Sequence, residues 1–144
     1  MKNFLFGLFF SILAFQFIVS ADQYPIIFLH GNDHKSKLDT IINYKSWDGS
    51  NWTAKLENNF GTILFIHAPN GDWSKCHKDK IINYKTWDGS NWTAKLENNF
   101  KGILFIHAPN GDWSKCHKDK IINYKTWDSS NWKAQVIQGY RNKP

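Results

Sequence analysis

Cysteine is scarce in this chain of 144 residues, which contains only Cys76 and Cys116. A small domain that relies on a dense disulfide framework needs more. A chain of this length can instead bury an apolar core of its own. We therefore expect residues 22–144 to form a single domain that is held together mainly by packing.

Blocks of basic residues are also absent, although the formal net charge is +6. The lysines are interleaved with Asp and Glu, a pattern typical of solvated surface and not of a nucleic-acid-binding patch. Nucleic acid is therefore excluded as the expected partner. Weak attraction to acidic glycans or to membrane surfaces stays open.

Long apolar runs are confined to the first 21 residues. Lys2 supplies a positive charge, the stretch Phe4–Phe17 is almost wholly apolar, and Val19-Ser20-Ala21 places small residues before a cleavage site. This pattern predicts a signal peptide over residues 1–21, cut after Ala21. An uncleaved anchor is the alternative, but a spanning helix needs about 20 apolar residues. We expect a secreted, extracellular protein without stable membrane insertion.

Tryptophan, by contrast, is abundant: all eight tryptophans lie at repeated positions. Residues Ile41–Lys80 and Ile81–Lys120 are two copies that differ at only three positions, so the period is 40 residues. Ile26–Thr40 is a third, shortened copy that lacks three residues near an Asn-Gly turn. The sequence therefore divides into three units, residues 26–62, 63–102 and 103–144.

Each unit carries strand signals and no sustained helical periodicity. Residues 91–97 alternate between apolar and polar side chains, as in a half-buried strand, and Asp88-Gly89 before them is a favoured hairpin turn. Asp72–Lys78 forms a weaker fourth strand in this interpretation. We predict an all-β fold of three repeats in a closed three-fold arrangement that is β-trefoil-like, with a β-prism or an open stack of hairpins as alternatives. The Trp-Asp dipeptides near the WD40 period do not indicate a propeller, because propellers typically have four to eight blades.

Catalysis is not expected. The strand YPIIFLHGN (Tyr24–Asn32) resembles the strand and His-Gly turn beside the oxyanion hole of α/β-hydrolases. That family also needs a Gly-x-Ser-x-Gly elbow, and this pentapeptide does not occur in the sequence. We therefore predict a protein that is not an enzyme and that uses no cofactor.

The two cysteines could bind a metal or form a disulfide bond. His67, Cys76 and His77 recur as His107, Cys116 and His117, and the first unit offers His30, Asp33 and His34. These side chains suit zinc, but their spacing matches no compact ligand pattern, so no metal site is predicted. For Cys76 and Cys116 a bond within the chain, a bond between chains and free thiols are three open alternatives.

Glycosylation is expected at two positions. The triplets that begin at Asn51 and Asn91 are acceptor sequences beside a hairpin turn. In the third unit Lys133 replaces the threonine and removes the site.

Ligand binding is predicted at two repeated loops that combine polar and aromatic residues. An indole can cover the apolar face of a sugar while Asn and Asp meet its hydroxyls, and repeated sites gain from multivalency. The segment DGSNWTAKLENN also resembles the turn and strand of small chitin-binding modules, although their paired tryptophans are absent. The predicted ligand-binding residues are Asn70, Asp72, Trp73, Asn110, Asp112 and Trp113.

We therefore expect a lectin-like protein whose partner is a glycan or glycoprotein surface. One alternative is a cationic secreted effector or defence protein that acts on membranes through Lys75, Lys78 and Lys80. Another is a structural secreted repeat protein. Near-identical units also favour homo-oligomers by domain swapping.

Overall fold

Branched and aromatic residues in short runs, separated by Asn-Gly and Asp-Gly turns, produce a fold made of short strands. The computed structural model describes residues 25–99 and 102–138, and Ile26–Gln138 form one compact unit. Its elements, in chain order, are β1 (Ile26–Asn32), β2 (Lys35–Asp39), β3 (Ile41–Lys45), β4 (Asn51–Asn59), β5 (Thr62–Pro69), a 3-10 turn (Trp73–Lys75), β6 (His77–Asp79), β7 (Ile81–Lys85), β8 (Asn91–Asn99), β9 (Gly102–Pro109), a second 3-10 turn (Trp113–Lys115), β10 (His117–Asp119), β11 (Ile121–Lys125) and β12 (Asn131–Gln138).

The strands form three similar antiparallel sheets of four strands each. Sheet A has the order β11-β12-β1-β2, sheet B the order β3-β4-β5-β6, and sheet C the order β10-β9-β8-β7. The prediction of an all-β fold built from repeats is therefore confirmed. Sheets B and C are each continuous in sequence, whereas sheet A joins the first two strands to the last two. Sheets B and C thus begin at Ile41 and Ile81, whereas the sequence units are counted from Ile26 and Ile63.

Alternation along the strands decides which side chains reach the core. In sheet B, Ile42 lies opposite Ala54, and Ala54 lies opposite His67. Tyrosine, phenylalanine and isoleucine recur at the same positions in the three sheets, and each such side chain is worth about 1.5–3 kcal/mol when fully buried. The largest buried side chains are Tyr44, Tyr84, Tyr124, Phe28, Phe65, Phe105, Ile42, Ile82 and Ile122.

A tight turn joins the first two strands of each structural unit. In sheet B, the backbone N–H of Gly49 donates to Ser46 O at 2.9 Å, and Gly49 has a φ of +83°. Asp48 accepts from the Ser46 hydroxyl, the Ser50 hydroxyl and the Ser50 N–H. The Asp-Gly dipeptide is therefore explained by the turn. In sheet A, Ser129 stands at the glycine position and keeps a φ of +68°.

Tryptophan side chains connect the three sheets in a cycle. The Trp47 indole N–H of sheet B donates to the carbonyl of Trp92 in sheet C at 2.7 Å. Trp87 of sheet C donates to Trp132 in sheet A at 2.8 Å, and Trp127 of sheet A donates to Trp52 in sheet B at 2.7 Å. Each sheet thus gives one indole hydrogen bond and receives one.

The segment from Asp72 to Lys78 differs from the sequence prediction. It begins with the 3-10 turn Trp73–Lys75, because Asp72 caps the N–H of Ser74, and only His77–Asp79 is a strand. Within the part of the chain that the structure describes, no helix has the length and apolarity to cross a membrane. The predicted signal peptide, residues 1–21, lies outside the described residues.

Candidate functional site

A cluster of Trp, His and Asp side chains recurs on the inner side of the sheets. In sheet B the Trp52 and His67 ring centroids are 5.3 Å apart, and the His77 ring lies 5.9 Å from Trp52 and 5.6 Å from His67, tilted against both. His67 Nε2 lies 3.1 Å from Asp79 Oδ2. Register explains the arrangement, since β5 places His67 opposite Ala54 on one side and His77 on the other. The equivalent residues of sheet C are Trp92, His107, His117 and Asp119.

The inner histidines are held neutral by their surroundings. Burial lowers the pKa of His67 below its ordinary value, and this effect outweighs the opposing effect of the Asp79 carboxylate. The contact is therefore a hydrogen bond from a neutral imidazole, with Nε2–H as the donor, and not an ion pair. His107 is held in the same way.

The Trp92 cluster borders a cleft between sheet C and the first strand of the next unit. The cleft has a volume of about 380 Å³. Trp92 and His107 line it on one side, and Ile121 and Asn123 of β11 line it on the other. Carboxylate and hydroxyl groups complete the lining, from Asp119, Asp88 and Thr86.

A second cleft of the same design lies between sheet A and β3. Its volume is about 560 Å³, and Trp132, His30 and Asp39 line it together with Ile41 and Asn43 of β3. The third equivalent position is the junction of sheet B with β7. There Trp52, His67 and Asp79 form the cluster described above, and Asn83 is the counterpart of Asn43 and Asn123. We refer to these three equivalent positions as the junction clefts; the cavities described are those of the first two.

In the shortened first unit, as far as the structure describes the chain, the histidine of the cluster lacks the hydrogen bond to a carboxylate that the other two have. His30 is 7% exposed, and neither of its ring nitrogens has a hydrogen-bond partner among the described residues. In the other two sheets the corresponding Nε2 atoms are bonded to Asp79 and Asp119. Burial again lowers the histidine pKa.

The predicted loop sites serve the fold with most of their polar groups. Asn70 and Gly71 both have positive φ, as a type I′ turn requires, and the N–H of Asp72 donates to Pro69 O. Asp72 Oδ1 accepts from the Ser74 hydroxyl and N–H, which lower the pKa of Asp72. Asn110 and Asp112 repeat these contacts.

Trp73 is 36% exposed, and the ammonium of Lys55 lies 4.9 Å from its ring centroid. Lys95 stands 4.8 Å from the Trp113 ring in the same way. Because Lys55 alternates with core-facing Ala54, these tryptophans lie on the outer side of the sheets, away from the junction clefts. The structure therefore places the predicted loops and the Trp-His-Asp clusters on opposite faces.

Two of the lysines assigned to the membrane alternative have acidic neighbours. Lys78 Nζ lies 3.4 Å from Glu57 Oε1, and Lys75 Nζ lies 3.9 Å from Asp72 Oδ2. Their charge is thus partly balanced on the protein surface.

The predicted glycosylation residues lie at the start of β4 and β8. Asn51 Oδ1 accepts from Lys45 Nζ at 3.0 Å, and Asn91 Oδ1 accepts from Lys85 Nζ at 2.9 Å. The threonines of both triplets are buried: Thr53 is 3% exposed, and its hydroxyl donates to Ile42 O. Occupancy of both sites stays a prediction.

Cys76 and Cys116 follow the two 3-10 turns, where both thiols are exposed and unpaired. Their state of oxidation stays a prediction. Within residues 25–99 and 102–138, no three His, Cys, Asp or Glu side chains converge in a way that would hold a metal ion.

Sequence reasoning missed the junction clefts. The signal was present, since His, Trp and Asp recur with the period of the repeat, but the lining of one cleft comes from β8, β9, β10 and the following strand β11. Only the strand order brings Trp92, His107 and Asn123 together.

The comparisons with known proteins identify a family but no activity. No curated protein and no solved structure matches the chain. The family described as "Domain of unknown function (DUF4751)" matches residues 16–140, which is most of the chain. The chain therefore belongs to this family of unknown function.

Proposed function

We propose that the protein is a secreted, non-enzymatic, lectin-like protein that binds carbohydrate at the junction clefts. The observation that carries the proposal is the recurrence of one concave arrangement: an aromatic and imidazole cluster bordered by a carboxylate and an exposed amide. A concave site with a mainly apolar lining and a few convergent polar groups is the common form of a small-molecule site.

The chemistry of the lining suits a polyhydroxylated ligand. Asp119 and Asn123 offer carboxylate and amide groups that can accept and donate hydrogen bonds, and Trp92 supplies apolar surface for the C–H groups of a sugar ring. The neutral His107 ring adds a polar atom without a charge. The mixed donors and acceptors suit a hydroxyl-rich ligand, and the carboxylates of Asp88 and Asp119 disfavour an acidic one.

Repetition adds avidity. Three weak sites on one molecule convert the second and third contacts with a branched or surface-bound glycan into effectively intramolecular events. Multivalent binding would explain why the same binding residues recur in each unit.

For the arrangement of the sheets we infer a closed three-fold prism, the alternative that the sequence left beside the trefoil. Its support is the cycle of indole hydrogen bonds from Trp47, Trp87 and Trp127, each of which reaches the next sheet. The pairing of strands within four-stranded sheets also favours a prism over a β-trefoil.

The test combines a glycan array with calorimetry on the full chain after secretion. Mass spectrometry of the purified product should give Asp22 as its first residue. The key variant carries Asn43→Ala, Asn83→Ala and Asn123→Ala; these side chains are exposed, so the fold should be unaffected. We expect binding of a neutral glycan class by the unaltered protein and about a fivefold loss at each site in this variant, since one lost hydrogen bond is worth about 1 kcal/mol.

The matched control carries Trp73→Ala and Trp113→Ala, on the opposite face. If this double variant loses binding and the asparagine variant keeps it, the site lies in the Asn-Gly-Asp-Trp loops. If a folded, monodisperse sample binds no glycan, the lectin proposal is wrong.

A further inference from the structure

Within residues 25–99 and 102–138, the outer side of sheet A lacks the 3-10 turn that covers the other two sheets. In sheet B the 3-10 turn with Trp73 packs against β5, where outward-facing Ile66 is 8% exposed and Ala68 is 0% exposed. Sheet A carries Leu29 and Gly31 at these positions, and both are half-buried. The three residues missing from the first unit have removed the turn and its tryptophan.

A pocket of about 530 Å³ opens at this place, within the usual range of small-molecule sites, about 300–1,000 Å³. Leu29, Ile121 and the Trp87 ring supply its apolar lining. Trp87 is 38% exposed, whereas in the other sheets a glycine of the Asn-Gly turn approaches the equivalent indole: an added Cβ on Gly71 would lie 3.4 Å from Trp127. Among the described residues, the pocket thus lies where sheet A lacks the tryptophan turn that sheets B and C carry.

Positive charge gathers in this pocket. Lys133 occupies the position of the buried Thr53 and Thr93, and its ammonium lies 5.5 Å from the Trp87 ring centroid. Lys35 also lines the pocket. The charged or titratable remainder of the lining is one carboxylate, Asp33, and two imidazoles, His30 and His34.

His30 adds a buried polar group without a partner. Its two ring nitrogens have no hydrogen-bond partner in the described part of the chain, and it lines the pocket beside Gly31. Buried polar atoms in native proteins are almost always satisfied, so an exception points to a solvent molecule or a ligand. A hydroxyl group, which both donates and accepts, would satisfy a neutral imidazole in either tautomer.

We propose that this pocket binds an acidic monosaccharide or disaccharide, in which a carboxylate or sulfate group pairs with Lys133 and Lys35. The sugar ring lies against Trp87 and Ile121, and a hydroxyl reaches His30. This site is distinct from the neutral-sugar sites but shares lining residues with them: Trp87 and Ile121 also line the sheet C cleft, and His30 also lines the sheet A cleft.

The test compares glucuronate with glucose, two ligands that differ only in the carboxylate. Titrations of the full chain are followed by ¹H–¹⁵N NMR, with the Trp87 indole N–H as the reporter. We expect glucuronate to bind at low salt, glucose to bind at least about tenfold more weakly, and rising salt to weaken glucuronate binding. Galacturonate and N-acetylglucosamine 6-sulfate extend the set.

The chain offers a matched pair of variants. Lys133→Gln should weaken glucuronate binding at least about tenfold, whereas Lys95→Gln, which removes a lysine above a tryptophan in a covered sheet, should change it less than about twofold. Glutamine is chosen at 133 because threonine there would complete a glycosylation triplet. A second variant, in which residues 31–39 are replaced by the sequence of residues 68–79, restores the tryptophan turn and should abolish binding.

Either of two results would overturn the proposal. One is the failure of all three acidic sugars to shift the Trp87 signal in a folded sample, and the other is an equal loss in Lys133→Gln and Lys95→Gln. A junction-cleft variant that carries only Asn43→Ala and Asn83→Ala should bind glucuronate normally, since Asn123 is left out because it lies opposite Lys133. Failure of this proposal and failure of the lectin proposal are therefore distinguishable.

Discussion

The indole N–H of Trp127 donates to the backbone carbonyl of Trp52 across 75 residues of sequence, at a distance of 2.7 Å. The bond joins sheet A, which is assembled from the first and last strands, to sheet B. The equivalent hydrogen bonds from Trp47 and Trp87 complete a cycle in which each sheet is bonded to the other two.

Trp127→Phe removes this donor, so the Trp52 carbonyl loses the hydrogen bond that joins the two sheets. We expect a loss of about 1–2 kcal/mol in the free energy of unfolding, measured by urea denaturation. Trp73→Phe, at the exposed turn, is the control and should cost less than about 0.5 kcal/mol. Equal effects of the two substitutions would contradict a specific role for the indole bond.

Ser129→Gly should stabilise the protein. Ser129 has a positive φ of +68°, and the glycines at the same position of the other two turns, Gly49 and Gly89, each have a φ of +83°. A left-handed conformation costs a non-glycine residue about 1–2 kcal/mol. Glycine avoids this cost but loses more conformational entropy on folding. We therefore expect a net gain of about 0.5–1 kcal/mol in the free energy of unfolding.

The reverse substitution, Gly89→Ser, should lower the unfolding free energy by a similar amount. Thermal melting of both variants checks the pair. A destabilised Ser129→Gly protein would show that the serine hydroxyl contributes more than its backbone conformation costs.

Acid should destabilise the fold through the three turn aspartates. Hydrogen bonds from Ser50 and Ser46 lower the pKa of Asp48 from 3.8 to about 2, and Asp88 and Asp128 are lowered to about 2 by equivalent bonds. Because the folded pKa lies below the unfolded one, this stabilisation is complete above about pH 4 and is lost as the pH falls through about 2.

Urea midpoints measured from pH 6 down to pH 2 should therefore fall most steeply below pH 4. A variant with Ala at positions 48, 88 and 128 should be less stable at pH 6 and should show a shallower acid decline. An unchanged acid slope in that variant would assign the decline to other carboxylates.

Glycosylation at Asn51 and Asn91 should be possible only before folding. The hydroxyl of Thr53 is committed to Ile42 O, and the Asn51 side chain is bonded to Lys45. We expect protein refolded from bacteria to resist a purified oligosaccharyltransferase, while the urea-unfolded chain accepts glycans. Modification of the folded protein at an equal rate would show that β4 opens readily.

The sequence allowed the strands, the hairpin turns and the repeat to be predicted, because all three depend on local signals. The Asp88-Gly89 turn and the alternation after Asn91 are examples, and both lie where expected. The junction clefts could not be predicted, since Trp92 meets Asn123 only through the order of strands and the contact between sheets. The duty of Trp73 was missed for a related reason: Lys55, which lies above its ring, is on another strand.

Sheet A also sets the order of events during synthesis. The β1–β2 hairpin leaves the ribosome first, but the strand that pairs with β1 is β12, which leaves it last. All strands of sheets B and C are synthesised before β12. Until β12 emerges, the β1–β2 hairpin therefore has an unpaired edge at β1, next to two sheets whose strands are already present. At high concentration β12 of another molecule can fill that edge as well as its own, and the waiting hairpin is therefore the natural point of exchange between chains.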